Sequence, residues 1–168
     1  MNDRRTPTVL RLAGRDVPPG SGLGPLLGAY HLATEAEKGV PVPGVGALPA
    51  RYRAEVVSPH IAFEGDTVLL ARREGDPVGC AVVTRPVDGG SELKRLWCVP
   101  AARGTGVASA LVAEGLAAAA RAGAGTVRLS VWRWREAAIG LYARAGFAVV
   151  EPWDDRPGLV CMERAAPA

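Results

Sequence analysis

The residues best suited to chemistry stand together in the run Arg103-Gly104-Thr105-Gly106-Val107-Ala108-Ser109, shortly after Pro100. Proline halts the strand-like text before it, the glycines permit a tight turn, and the Ala- and Leu-rich text beyond is helical. Such a turn leaves the first N–H groups of the helix unpaired, at the end where the helix dipole favours negative charge. The chemistry on offer is capture of a phosphate or pyrophosphate. Glycine matters there because a side chain would hold the anion off the backbone. Two familiar phosphate loops fit poorly. A GxxxxGK[ST] loop needs a lysine that the segment lacks. Gly104, Gly106 and Ser109 mimic a dinucleotide GxGxx[GA], but that loop follows the first strand of a βαβ unit and is answered by an acid about 20 residues on. After Glu114 the next carboxylate is Glu136, beyond the following strand. A third pattern, [QR]xxGx[GA], is met at every specified position by Arg103, Gly106 and Ala108.

The elements that must position this loop are legible on both sides of it. TVLLARR, PVGCAVVTR and ELKRLWCV read as three strands in an antiparallel meander, with Gly75 and Asp76 supplying the first bend. VASALVAEGLAAAARAG is a helix ended by Gly123; TVRLSVW is a strand; EAAIGLYARAG is a helix ended by Gly146. FAVVEPW and GLVCMER read as two last strands. Upstream, TVLRLAG reads as a first strand and LPARYRAEVV as a short helix. The stretch around Leu26, Leu27, Tyr30 and Leu32 reads as another helix, with Pro25 at its first position and GSGLG as a flexible lead. MNDRRTP and the final AAPA read as frayed ends. The expectation is one α/β (α+β) domain over residues 1–168, with a mostly antiparallel mixed sheet and helices on both faces.

The [QR]xxGx[GA] loop follows the strand ELKRLWCVP and precedes the helix text AAIGLYARAGF and a closing GLVCMER strand. In that order it resembles the GNAT superfamily of acetyl-CoA-dependent N-acetyltransferases, over residues 66–164. Residues 1–65 resemble the family only as the variable helical region that shapes an acceptor pocket. The resemblance implies a GNAT-like fold and direct transfer of acetyl to a primary amine. It assigns the CoA pyrophosphate to the N–H groups from Arg103 to Ser109. Pantetheine falls along the strand edge at Leu96, Trp97, Cys98 and Val99, with the Cys98 N–H polarising the thioester carbonyl. Tyr142 falls at the position of the general acid that protonates departing CoA, and Glu92 at that of a base for the acceptor ammonium. At Arg135 the family often has Asn. An arginine can bond a carbonyl or phosphate but cannot accept an N–H, so any cofactor contact there would be as a donor to one of these. Trp97, Trp132, Trp134 and Trp153 could wall a pocket for a flat apolar acceptor or a cation over a ring face. A catalytically weak CoA-binding sensor of the same fold is the alternative.

Composition narrows the partners. The chain has 168 residues, a net charge of +3 and only two lysines, Lys38 and Lys94. Its arginines are scattered among acids, which argues against nucleic acid. Cys80, Cys98 and Cys161 show no CxxC spacing, so neither a disulfide framework nor a metal site is expected. His31 and His60 read as structural. No leader and no apolar run of about 18 residues is visible, which predicts a cytoplasmic protein off the membrane. The expected partners are acetyl-CoA and a small-molecule or peptide amine, and a homodimer is compatible with the text.

Overall fold

A computed structural model describes residues 6–168, so the first five residues of the MNDRRTP stretch lie outside the described residues. Among the described residues seven strands form one sheet in the order β1-β2-β3-β4-β5-β7-β6. The strands are β1 Thr8–Ala13, β2 Thr67–Arg73, β3 Asp76–Val83, β4 Gly90–Cys98, β5 Thr126–Trp132, β6 Ala148–Val149 and β7 Leu159–Ala165. The helices are α1 Leu23–Glu37, α2 Ala50–Val57, α3 Pro59–Ala62, α4 Val107–Arg121 and α5 Glu136–Arg144. All pairings are antiparallel except β4 with β5. That parallel pair is joined through α4, the crossover a parallel connection requires.

Two apolar cores sandwich the sheet. On one face α4 and α5 bury Val107, Leu111, Val112, Leu116 and Tyr142 against Leu69, Ala81, Leu93, Val127 and Leu129. On the other, α1 and Phe63 cover Val68, Leu70, Cys80 and Val82. The alternation Val68/Leu70 against Leu69/Ala71 along β2 is the period-2 pattern of a strand covered on both sides. Both α4 and α5 end as their glycines predict. Gly123 and Gly146 take φ of 89° and 93°, and the next N–H reaches back to Ala119 O and Tyr142 O at 3.0 Å.

Several local expectations shift. The β2–β3 bend uses Glu74 and Gly75, both left-handed at φ 52° and 90°, one residue earlier than the sequence suggested. Helix α1 begins at Leu23, so Pro25 stands at its third position, where its missing N–H costs nothing. The lead into α1 is packed: a Cβ on Gly22 would lie 2.3 Å from Pro77. FAVVEPW contributes only the short β6.

Two irregularities of β4 shape everything near it. It pairs with β5 only through Gly90–Glu92, against Thr126–Arg128, and beyond Glu92 the strands part. On its other side the β3 register slips between Cys80 and Val82, because Arg95 sits in a bulge at φ 58°. The bulge reverses the alternation. Before it Leu93 faces α4 while Lys94 lies over Phe63 on the α1 side. After it Leu96 and Cys98 face the α4 core, and Trp97 packs toward α1.

Gly79 lets α4 approach β3 and β4 closely. A Cβ there would meet Trp97 O and Val107 Cγ1 at 2.9 Å and Leu111 Cδ1 at 3.0 Å. Gly79→Ala should therefore destabilise the fold by roughly 1–3 kcal/mol, the usual size of an overpacking cost, read as a lowered midpoint in urea at unchanged slope.

Candidate active site

The parting of β4 from β5 opens a cleft of about 750 Å³, lined by α1, α2, β4, β5, the start of α4, α5 and the β6–β7 loop. Of the residues singled out in the sequence, Glu92, Leu96, Trp97, Cys98, Arg103, Gly104, Gly106, Val107, Ala108, Ser109, Arg135 and Tyr142 all line it. The Val99 N–H donates to Val78 O on β3 at 2.9 Å. Alternation along the strand therefore turns the Cys98 N–H the other way, into the gap that β5 has left.

At the lower end of this edge stands the glycine turn. Gly104 and Gly106 take φ of 70° and 91°, and open space lies where each Cβ would be. Gly106 is the N-cap of α4 without a side-chain cap, and the first helical bond runs from Ala110 N to Gly106 O. The N–H groups of Val107, Ala108 and Ser109 are thus the orphans of the first turn. Thr105 points away from them: its hydroxyl bonds Ala102 O and accepts from Arg73 Nη2 at 2.9 Å. Arg73, which the sequence gave no reason to select, brings a second guanidinium to the turn through Thr105. Its Nε is buried without a partner among the described residues. Arg103 donates from Nε to Cys98 O at 3.1 Å and stacks on Trp97 at 4.8 Å. The turn is open, positively flanked and rich in free N–H groups, a fit for a pyrophosphate.

Tyr142 is 7% exposed and packs edge-on to Phe147. Burial first, and the neighbouring Tyr30 second, push its phenol well above the ordinary tyrosine range, with Arg135 opposing. The phenol stays protonated at neutral pH, the state a proton donor needs. Burial likewise raises the Cys98 thiol, against Arg103 and Arg73, so it is no ready nucleophile. Glu92 is half-buried at the last position of β4 that pairs with β5, opposite Arg128, and its own N–H is held by Thr84 Oγ1 at 2.8 Å.

Arg135 crosses the cleft to α1. It donates from Nη2 to Thr34 Oγ1 at 2.7 Å and from Nε to Glu37 Oε2 at 2.8 Å, tying the start of α5 to α1. Trp132 and Trp134 stack at 4.9 Å and line the cleft, and Trp134 donates to Glu37. Trp153 lies elsewhere, under the Arg128 guanidinium at 4.2 Å. Cations of the chain already lie over several of these rings: Lys38 and Arg156 over Trp132, Arg95 over Tyr30 and Tyr52.

A polar cluster under the cleft also escaped the sequence reading. Glu55 Oε2 accepts from His31 Nε2 at 2.7 Å and from Arg95 Nε at 2.8 Å, and Glu55 Oε1 accepts from Arg95 Nη2 at 2.8 Å. Burial works to raise the Glu55 carboxyl, yet the bonds from Arg95 and His31 win and hold it at about 2. An ionised carboxylate only accepts, so His31 carries its proton on Nε2. His31 also stacks on Tyr52 at 4.4 Å. The three residues are far apart in sequence and belong to no shared motif. His60 stands apart from this cluster, exposed on α3.

A sheet parted after β4, with a glycine-lined helix terminus at the mouth of the gap, is the architecture of an acyltransferase fold. The acetyltransferase (GNAT) family matches residues 41–147, and the chain belongs to that family. An uncharacterised N-acetyltransferase of Mycobacterium tuberculosis is 37% identical over 100 residues, covering 60% of this chain and 61% of the relative. An IAA acetyltransferase of Azospirillum brasilense is 35% identical over 94 residues, covering 55% and 58%. The chain thus spans about three-fifths of the length of these curated relatives. Among solved structures, an acyl-CoA N-acyltransferase from Pseudomonas aeruginosa is 25% identical with a TM-score of 0.62, covering 95% of this chain and all of that one. The ribosomal-protein-S18-alanine N-acetyltransferase of Escherichia coli shares the fold at 19% identity, with a TM-score of 0.64 and coverage of 97% and 96%.

Gly106→Val would force a β-branched residue into φ near 91° and fill the open turn. Calorimetry with CoA should show binding lost while circular dichroism shows the fold retained; undiminished CoA affinity would remove the turn from the site.

Proposed function

We propose that the chain transfers an acetyl group from acetyl-CoA directly to a primary amine. The observation that carries this reading is the gap beyond Glu92, where a free strand edge, the glycine turn and the buried Tyr142 converge on one cleft. Pantetheine is a chain of amides and pairs with a β edge as an added strand would; Leu96–Val99 offer that edge through the Cys98 N–H, while Arg103 Nε holds the Cys98 carbonyl. The N–H groups of Val107, Ala108 and Ser109 bind the pyrophosphate, with Arg73 and Arg103 adding charge.

The thioester supplies an electrophilic carbonyl carbon and a sulfur leaving group. As the amine nitrogen bonds to that carbon, negative charge moves onto the carbonyl oxygen, and the Cys98 N–H stabilises it. The C–S bond then breaks, and Tyr142 passes its phenolic proton to the sulfur. The acceptor must attack as a neutral amine, although an ordinary alkylammonium has a pKa near 10. Glu92, on the cleft wall where the strands part, removes that proton directly or through water. No helix among the described residues is long and apolar enough to cross a membrane.

The test is released thiol with a panel of amines, and mass spectrometry to locate the acetyl group. A CoA-binding sensor would bind acetyl-CoA and release none. Tyr142→Phe keeps the ring and its packing, so acetyl-CoA affinity should hold while turnover falls by about two orders of magnitude or more. Equal turnover with intact binding would reduce Tyr142 to a packing residue. Glu92→Gln should slow turnover roughly 10²- to 10⁴-fold at neutral pH and regain part of it as pH rises and more acceptor is already neutral. Near-normal turnover at neutral pH would move the base elsewhere.

A further inference from the structure

Arg95 is anomalous on three counts. It is a non-glycine residue in the left-handed region, at φ 58°. It stands in the middle of a strand at the site of a register slip. Its guanidinium is half-buried and held by two parallel hydrogen bonds to one carboxylate. A side chain other than glycine resists that backbone geometry, so something outside the strand must hold it there. Two contacts do so. The Glu55 carboxylate from α2 grips Nε and Nη2 at 2.8 Å and is itself fixed by His31 of α1 at 2.7 Å. The Arg95 carbonyl, displaced from the β3 ladder by the bulge, accepts from the Cys80 thiol at 3.5 Å.

The bulge lies three residues before Cys98. It decides which way every later residue of β4 faces, because one extra residue exchanges the two sides of the strand. We propose that the chain Arg95–Glu55–His31 is a positioning device: it clamps β4 in its bulged form and so aims the Cys98 N–H at the acyl carbonyl. The inference rests on the acetyl transfer reading above. Arg95 and Glu55 act through the backbone and are positioning residues, while the hydrogen bond to the carbonyl is made by the Cys98 amide. The two helices that supply Glu55 and His31 also line the far side of the cleft, so the acceptor-side region holds the strand on which the donor lies.

The decisive comparison is Arg95→Ala against Arg95→Gly. Both remove the clamp, but glycine takes the left-handed conformation freely and alanine does not. The probe is a ketone analogue of acetyl-CoA in which a methylene replaces the thioester sulfur, carrying a ¹³C-labelled carbonyl read by isotope-edited infrared spectroscopy. A hydrogen bond to that oxygen lowers its stretching frequency. The expected result is a band moved to higher frequency in Arg95→Ala and returned toward the wild-type position in Arg95→Gly. Turnover should follow the same order, roughly 10-fold down for alanine and partly recovered for glycine, with acetyl-CoA affinity nearly constant. Glu55→Gln supplies the second arm and serves even where Arg95→Ala fails to fold. It should raise the band alone and add nothing on the Arg95→Gly background, where no clamp remains. A band unmoved in Arg95→Ala or in Glu55→Gln, or equally moved in alanine and glycine variants, overturns this inference alone. An analogue that does not bind the wild-type protein overturns the transferase reading and this inference with it.

Discussion

An edge of β-sheet left bare inside a protein is an unstable thing, since each unpaired N–H and C=O seeks a partner. β4 and β5 create such an edge by parting after three residue pairs. The rest of the structure is arranged around that choice. α4 and α5 cover one side of the gap and α1 and α2 the other, so that the bare edge lies in a cleft and not at an open rim where another sheet could add to it. The same parting frees the N–H of Cys98, brings the start of α4 to the mouth of the gap and admits Tyr142 from below. In the transfer proposed above, a ligand that is itself a chain of amides, with a pyrophosphate at one end, would complete what the fold leaves unfinished.

Charge is distributed in the same spirit. The turn at Gly104–Gly106 carries few side chains that could compete for its N–H groups, and the nearby arginines are anchored by neutral acceptors. Arg103 uses a backbone carbonyl and Arg73 a threonine hydroxyl, so their charge is not cancelled by a carboxylate partner in these contacts. At the other end of the cleft the pattern inverts. Arg95, Arg135 and Arg156 each bond a carboxylate, from Glu55, Glu37 and Asp154. One end of the cleft thus keeps its positive field for an anion, while the other is balanced and walled by aromatic rings. Within that balanced end, Arg135 is long enough to bridge from the start of α5 to Thr34 and Glu37 of α1.

Much of this was legible in the linear text, because it depends on local chemistry. Glycine after a helical run ends the helix at Gly123 and Gly146 whatever lies around it. The glycines of the 103–109 segment, followed at once by a helix, compel unpaired N–H groups there. Alternating apolar residues name β2 to β4, and the order of loop, helix and strand marks the family. All of these follow from backbone conformations that a few adjacent residues impose. Where neighbours in sequence compete closely, as at the Glu74–Gly75 bend or the start of α1, the boundary moved by a residue or two.

Only the tertiary structure decided the rest, and the physical reason is long-range pairing. The bulge at Arg95 has no glycine to announce it; it exists because a carboxylate 40 positions earlier holds the side chain. Glu55, His31 and Arg95 are unremarkable in isolation, and only packing of α1 and α2 against β4 makes them one buried cluster. Trp153 and Trp132 looked equivalent as aromatic residues near strand ends, yet Trp153 falls in the β6–β7 loop under Arg128, while Trp132 ends β5 in the cleft. Arg73 reached the glycine turn because β2 ends beside it. The sequence determined which backbone groups would be free; the fold determined which side chains would meet them.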